Sequence, residues 1–165
     1  MTNKTSQLVV LSATLVAGLF AMGLTASAFA ETAMPFGGTY IGYDSDGDDL
    51  SGSFVDWGIY SGFGGVVQVH GTYQFVEDES HESGGYFTSQ YTIEDRKGNA
   101  LSFETVEVSW SEDDDGKYGV AENEWKIVSG KGKYAGATGE GTESVWYNLE
   151  YMSYKGTITG NIFLP

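Results

Sequence analysis

The chain has 165 residues, with 23 acidic side chains against 8 basic ones, 24 glycines, 2 prolines and no cysteine. That length supports one domain. A formal charge of −15 leaves no basic face for nucleic acid and disfavours an anionic membrane surface. The missing cysteine excludes disulfides, thiolate–zinc sites, Fe–S clusters and a cysteine nucleophile, while 41% hydrophobic and 15% aromatic residues exclude a disordered chain.

Residues 1–30 read as an export signal. Lys4 supplies a positive start, an apolar run extends from Leu8 to Leu24, and Ala28-Phe29-Ala30 forms an A-x-A cleavage site before Glu31. The competing reading is an uncleaved N-terminal anchor, since the run is long enough to span a bilayer. A lipoprotein is excluded, because no cysteine is present to be lipidated. Cleavage removes only Lys4 among the charged residues, so the mature domain, 31–165, carries seven basic against 23 acidic groups, a net −16. The expected product is exported, periplasmic or secreted, without a stable membrane anchor. Lacking covalent staples, it is held by its core alone.

No segment after residue 31 sustains a 3.6-residue apolar period. Runs rich in Val, Ile, Thr, Tyr, Phe and Trp are cut instead by Gly, Asp, Asn and Ser. Short strands fit at 38–43 and 51–57. Between them, Asp44, Asp46 and Asp48 have the 1-3-5 spacing of a calcium loop, but Asp49 stands where glycine is required and Val55 where a glutamate belongs. The segment reads as a solvated acidic hairpin loop, and no metal site is assigned. The clearest alternation sets Val67, Val69, Gly71, Tyr73 and Phe75 against Gln68, His70, Thr72 and Gln74. His70 lies on the polar face and His81 in a polar loop, and neither has a partner at ligand spacing.

The next run places Phe87, Ser89, Tyr91 and Ile93 on one face, and Asp95-Arg96-Lys97-Gly98-Asn99 then reverses the chain. Residues 100–110 begin with Leu101 and Phe103 on one face and end with Val106, Val108 and Trp110 on the other, which predicts a β-bulge near Glu104–Thr105. An acidic loop at 111–119 precedes strands at 120–128, 141–150 and 154–163. The pattern gives about eight strands without the long crossovers of a parallel sheet, hence an all-β antiparallel barrel or sandwich, with a small barrel favoured. An outer-membrane barrel needs about ten residues of outward apolar alternation per strand, and Glu, Lys, Gln and Asn interrupt these faces too often.

Residues 127–142, Ile-Val-Ser-Gly-Lys-Gly-Lys-Tyr-Ala-Gly-Ala-Thr-Gly-Glu-Gly-Thr, place Gly130, Gly132, Tyr134, Gly136, Ala137, Gly139 and Gly141 in the order G-x-G-x-[FY]-x-G-A-x-G-x-G. This resembles the signature of the allene oxide cyclase-like and dirigent-like barrels. Tyr154-Lys155-Gly156-Thr157-Ile158 is similar to their closing strand, and the hairpin at 91–101 fits their strand–turn–strand pattern. The resemblance covers roughly residues 86–163. It implies an eight-stranded barrel with an apolar pocket at one end, cyclase- or isomerase-like chemistry through confinement, and a homo-oligomer, often a trimer. The family's pocket cysteine has no counterpart here, and the single arginine, Arg96, lies in a turn. No catalytic set therefore transfers residue by residue. From the residues themselves, alternate glycines permit a sharp bend or close backbone approach, with Tyr134 as an aromatic plug. A phosphate-cradling role is rejected, because the stretch opens no helix and the surrounding charge repels phosphate.

The functional expectation is a lumen that takes an apolar small molecule, with Tyr73, Tyr91, Trp125 and Trp146 as ligand-contacting aromatics and no cofactor. Glu104 and Glu143 are the candidate acids, each lying in a strand among apolar or small neighbours, where desolvation would raise a carboxyl pKa. The alternative is a non-catalytic interaction, structural or carbohydrate-binding protein whose aromatics face outward.

The export reading makes a direct prediction. N-terminal sequencing of the exported protein should begin at Glu31, and a product retaining residues 8–24 would show the segment to be an anchor instead.

Overall fold

A computed structural model describes residues 32–47, 50–81 and 84–165. The export segment and its cleavage residues Ala28, Ala30 and Glu31 lie outside the described residues, as do Asp48 and Asp49. Eight strands follow one another in chain order: β1 (Thr32–Gly47), β2 (Ser51–Tyr60), β3 (Val66–Glu77), β4 (Gly85–Glu94), β5 (Ala100–Glu112), β6 (Tyr118–Lys131), β7 (Thr138–Asn148) and β8 (Ser153–Leu164). Each pairs antiparallel with the next, and β8 pairs with β1 from Thr32↔Leu164 to Tyr43↔Ser153, so the sheet closes into a barrel. Closure leaves no unpaired sheet edge.

The period-2 pattern sets which side chains enter the lumen. Val67 and Val69 of β3 and Tyr91 and Ile93 of β4 point inward, as their alternation predicts. Leu101, Phe103 and Thr105 of β5 are also buried. The phase change in β5 comes later than the sequence suggests. The pairing with β6 slips between Ser102 and Phe103 and again between Glu107 and Ser109, not at Glu104–Thr105. The second slip leaves Val108 without an opposite residue and turns Trp110 and Glu112 back toward the barrel mouth.

One half of the barrel is filled. Phe36 stacks on Phe103 with ring centroids 5.5 Å apart, and Trp125 packs edge-on against both, at 5.7 and 5.5 Å. Ile93, Leu101, Ile158 and Ile162 complete this layer, each essentially inaccessible to solvent. Trp125 can lie flat across the neighbouring strands because Gly141 and Gly160 sit beneath it: a Cβ at Gly141 would lie 2.6 Å from the indole Cζ2, and one at Gly160 closer still. The indole Nε1 donates to the carbonyls of Thr142 and Thr159, both at 3.1 Å, so the ring is buried without an unpaired donor.

The glycine-rich stretch forms the connection between β6 and β7. A short 3₁₀ turn at Gly132–Tyr134 carries Tyr134 under the filled end, where it stacks on Phe63 at 5.1 Å. Gly136 has φ of +76°, in the left-handed region, and a Cβ there would sit 3.2 Å from the Pro165 ring. The connection therefore bends at Gly136, as the sequence leads one to expect, and Tyr134 is the plug.

Replacing Gly136 with valine should cost about 2 kcal/mol, since a β-branched residue is poorly accommodated at positive φ. Chemical denaturation of the two proteins checks this, and an unchanged midpoint would show the turn free to relax.

Candidate functional site

Above the plug the lumen is open. It encloses about 800 Å³ and opens at the end carrying the β1–β2, β3–β4, β5–β6 and β7–β8 connections. Nine aromatic side chains contribute to its wall, among them Tyr40, Phe54, Tyr73, Tyr91, Tyr147 and Tyr154. Six carboxyl groups also line it: Asp56 and Glu143 deep inside, and Asp44, Asp46, Glu107 and Glu112 nearer the mouth.

Glu143 lies on the inward face of β7 between Gly141 and Val145 and is 5% exposed. Its Oε1 accepts a hydrogen bond from the Tyr40 hydroxyl at 2.7 Å and a longer one from Tyr91 at 3.4 Å. Its Oε2 accepts from Asn123 Nδ2 at 3.0 Å. Burial raises the pKa of Glu143, and these three donors oppose the rise without cancelling it. Tyr40 and Tyr91 are themselves pushed well above the ordinary phenol value, first by burial and then by the nearby Glu143 charge. Both phenols therefore stay neutral donors across the physiological range.

Asp56 projects inward from β2 in the row Phe54, Asp56, Gly58, Tyr60 and is 4% exposed. Its Oδ1 accepts from the Tyr154 hydroxyl at 2.5 Å. Burial lifts its pKa from 3.8 to about 7. The Tyr154 hydrogen bond lowers it, while Glu143 and Asp44 raise it further. Burial also raises Asp44 and Glu107 at the mouth. At neutral pH the lumen thus holds a carboxyl group poised between its acid and its anion, which is the state needed to give or take a proton.

The sequence candidates divide. Glu143, Tyr73 and Tyr91 meet in the lumen. Glu104 does not: it points out of β5 between inward Phe103 and Thr105 and pairs with Lys126 at 3.2 Å on the outer surface. Trp125 is 2% exposed, and it belongs to the filled Phe36–Phe103 layer below the open space. Trp146 faces outward, 55% exposed, with the Lys155 ammonium 5.5 Å from its ring centroid. Strand alternation explains both outward placements, because Glu104 and Trp146 are each one residue out of phase with their buried neighbours. Trp57 and Tyr43 also lie outside, 5.7 Å apart, in the arrangement that the carbohydrate alternative would use.

Sequence reading missed Asp56, Tyr40, Asn123 and Tyr154. Asp56 carried a usable signal, since it is the acid within the otherwise apolar run Phe54-Val55-Asp56-Trp57-Gly58-Ile59-Tyr60. Among the described residues no group of three or more His, Cys, Asp or Glu side chains is arranged to hold a metal ion, and none of the helices is long and apolar enough to cross a membrane.

The fold and site define a closed eight-stranded antiparallel barrel, solid at one end and hollow at the other. Comparison with known protein families, with curated proteins and with solved structures finds no match.

Asp56 gives the site a pH signature. Its folded pKa of about 7 exceeds its ordinary 3.8, so the folded state prefers the neutral acid. Its contribution to stability is greatest below about pH 4, is lost as pH rises toward 7, and stays lost above that. Asp56→Asn should therefore raise stability at pH 8 by on the order of 2 kcal/mol and flatten the decline. Glu143 contributes a decline of the same sign, so part of the slope should survive. Melting curves between pH 4 and 8 test this, and a variant less stable than the parent at pH 8 would contradict it.

Proposed function

We propose that the protein binds an apolar or aromatic small molecule in the open half of its lumen. The observation carrying this reading is that above the Phe36–Phe103–Trp125 layer the inward side chains line, and do not fill, an aromatic-walled space of about 800 Å³. That volume falls within the range of about 300–1,000 Å³ common for ligand pockets. A barrel that served only as a scaffold would gain stability by filling this space with its own side chains. The likeness of the Gly130–Gly141 stretch to the allene oxide cyclase-like and dirigent-like barrels supports the same reading.

A second reading adds chemistry at the same place. In this reading Glu143, whose pKa burial raises and whose carboxyl faces the chamber beside the Tyr40 hydroxyl at 2.7 Å, acts as the proton donor. Delivering one proton to a bound molecule and recovering another from a different carbon would isomerise or cyclise it and leave the carboxyl unchanged. Glu143→Gln keeps the shape and a hydrogen-bond acceptor for Tyr40 but removes the transferable proton.

Two measurements test the proposal. N-phenyl-1-naphthylamine, a neutral fluorescent probe, should bind one to one with enhanced emission. Ser89→Trp, which places an indole in the lumen, should weaken it at least tenfold while far-UV circular dichroism is unchanged. Equal binding by the two proteins would place the probe outside the barrel. In addition, native mass spectrometry of protein purified from its own host should show a retained small molecule. Incubating that molecule with the parent and with E143Q should give turnover only in the parent if the acid reading holds.

A further inference from the structure

The charges of the barrel are segregated along its axis. Asp78, Glu79, Asp113, Asp114, Asp115 and Glu150 occupy the connections at the open end. Arg96 and Lys97 of the β4–β5 turn, and Lys131 and Lys133 around the β6–β7 turn, sit at the plugged end, where they outnumber the adjacent Glu94 and Asp95. Within the lumen the described wall has six carboxyl groups and no lysine, arginine or histidine. The described basic groups in the mouth connections are Lys117, paired with Asp115 at 3.8 Å, and His81, whose ring lies tilted against Tyr86 with centroids 5.8 Å apart.

Resting on the reading of the lumen as a ligand site, we infer that its ligand is a cation: an amine or quaternary ammonium group carried on an apolar or aromatic body. Three features converge on this class. Glu143 and Asp56 are buried with only neutral partners, namely Tyr40, Tyr91, Asn123 and Tyr154, so the counter-charge that a buried carboxylate requires is not supplied by the described wall. Nine aromatic rings surround the same space, and their faces are the negative ends of ring quadrupoles, which attract ammonium groups. Finally, an acidic mouth above a low-dielectric cavity concentrates cations at the entrance and repels anions. A neutral apolar molecule would use the rings alone and offer neither deep carboxyl group a counter-charge. An anion would meet carboxyl groups of its own sign from the mouth to the deep end.

The test is a matched series. Phenylalkyl trimethylammonium ions with one to three methylenes are compared with their neutral isosteres, in which carbon replaces nitrogen, and with phenylalkyl carboxylates of equal length. Each competes against bound N-phenyl-1-naphthylamine at pH 7.5. The expected result is that at least one ammonium ion displaces the probe at a concentration at least tenfold below its neutral isostere, and that the carboxylates displace it least. Glu143→Gln should reduce the preference to about threefold or less. Glu112→Gln, at the mouth and outside the deep cluster, should weaken ammonium binding without altering the neutral isosteres, and it provides a readout should E143Q fold poorly. Isosteres that bind as tightly as the ammonium ions would overturn the cation preference and leave the lumen as an apolar site. Displacement by no member of the series would overturn both.

Discussion

The layer made by Phe36, Phe103 and Trp125 is the contact on which the rest of the barrel depends. The chain has no disulfide to fall back on, so the sheet stays closed only if enough apolar surface is buried inside it. Three large rings in stacked and edge-on contact do this across a single level of the barrel. Each is worth a few kcal/mol of burial by order of magnitude. Because the layer is compact, the remaining length of the strands is released from core duty. The upper half of the lumen can then carry carboxyl groups that a filled core would exclude.

That division of labour rests on small residues as much as on large ones. The indole of Trp125 lies over Gly141 and Gly160, and the Tyr40 ring lies over Gly156 on the adjacent strand. In each case the aromatic side chain occupies the space that a neighbour's missing Cβ leaves. Tyr40 is thereby directed toward Glu143, so a packing device of the sheet also fixes the geometry of the buried acid. The cost of placing Glu143 and Asp56 in this environment appears in their raised pKa values, and it is offset by phenol and amide donors instead of by basic side chains.

Much of the architecture was legible in the sequence. The alternation of Val67, Val69, Tyr73 and Phe75 and of Phe87, Tyr91 and Ile93 fixed both the strands and their inward faces, because a period of two leaves no freedom once one face is buried. Tyr134 and Gly136 likewise announced the turn they form. The site was only half legible. Glu143 could be found as an acid among small residues, whereas Glu104 has comparable neighbours and faces outward. A difference of one residue in phase separates them: Glu104 lies between inward Phe103 and Thr105, whereas Glu143 shares the inward face with Val145. The meeting of Tyr40 with Glu143 and of Tyr154 with Asp56 spans about a hundred residues of chain. It follows from the β1–β8 seam, which no local pattern reveals.

The same seam determines where the chain enters and leaves. Thr32 pairs with Leu164, and β1 and β8 run from there toward and away from the mouth, so both ends of the described chain emerge beside the plug. A fusion partner, tag or surface tether joined at either end would therefore hang from the floor of the barrel, and immobilised molecules would present their mouths to the solution. The proximity of the two ends also makes the barrel suited to circular permutation. A short linker across the seam, with new termini opened in the exposed β5–β6 connection, would relocate the attachment point to the rim while preserving every strand pairing.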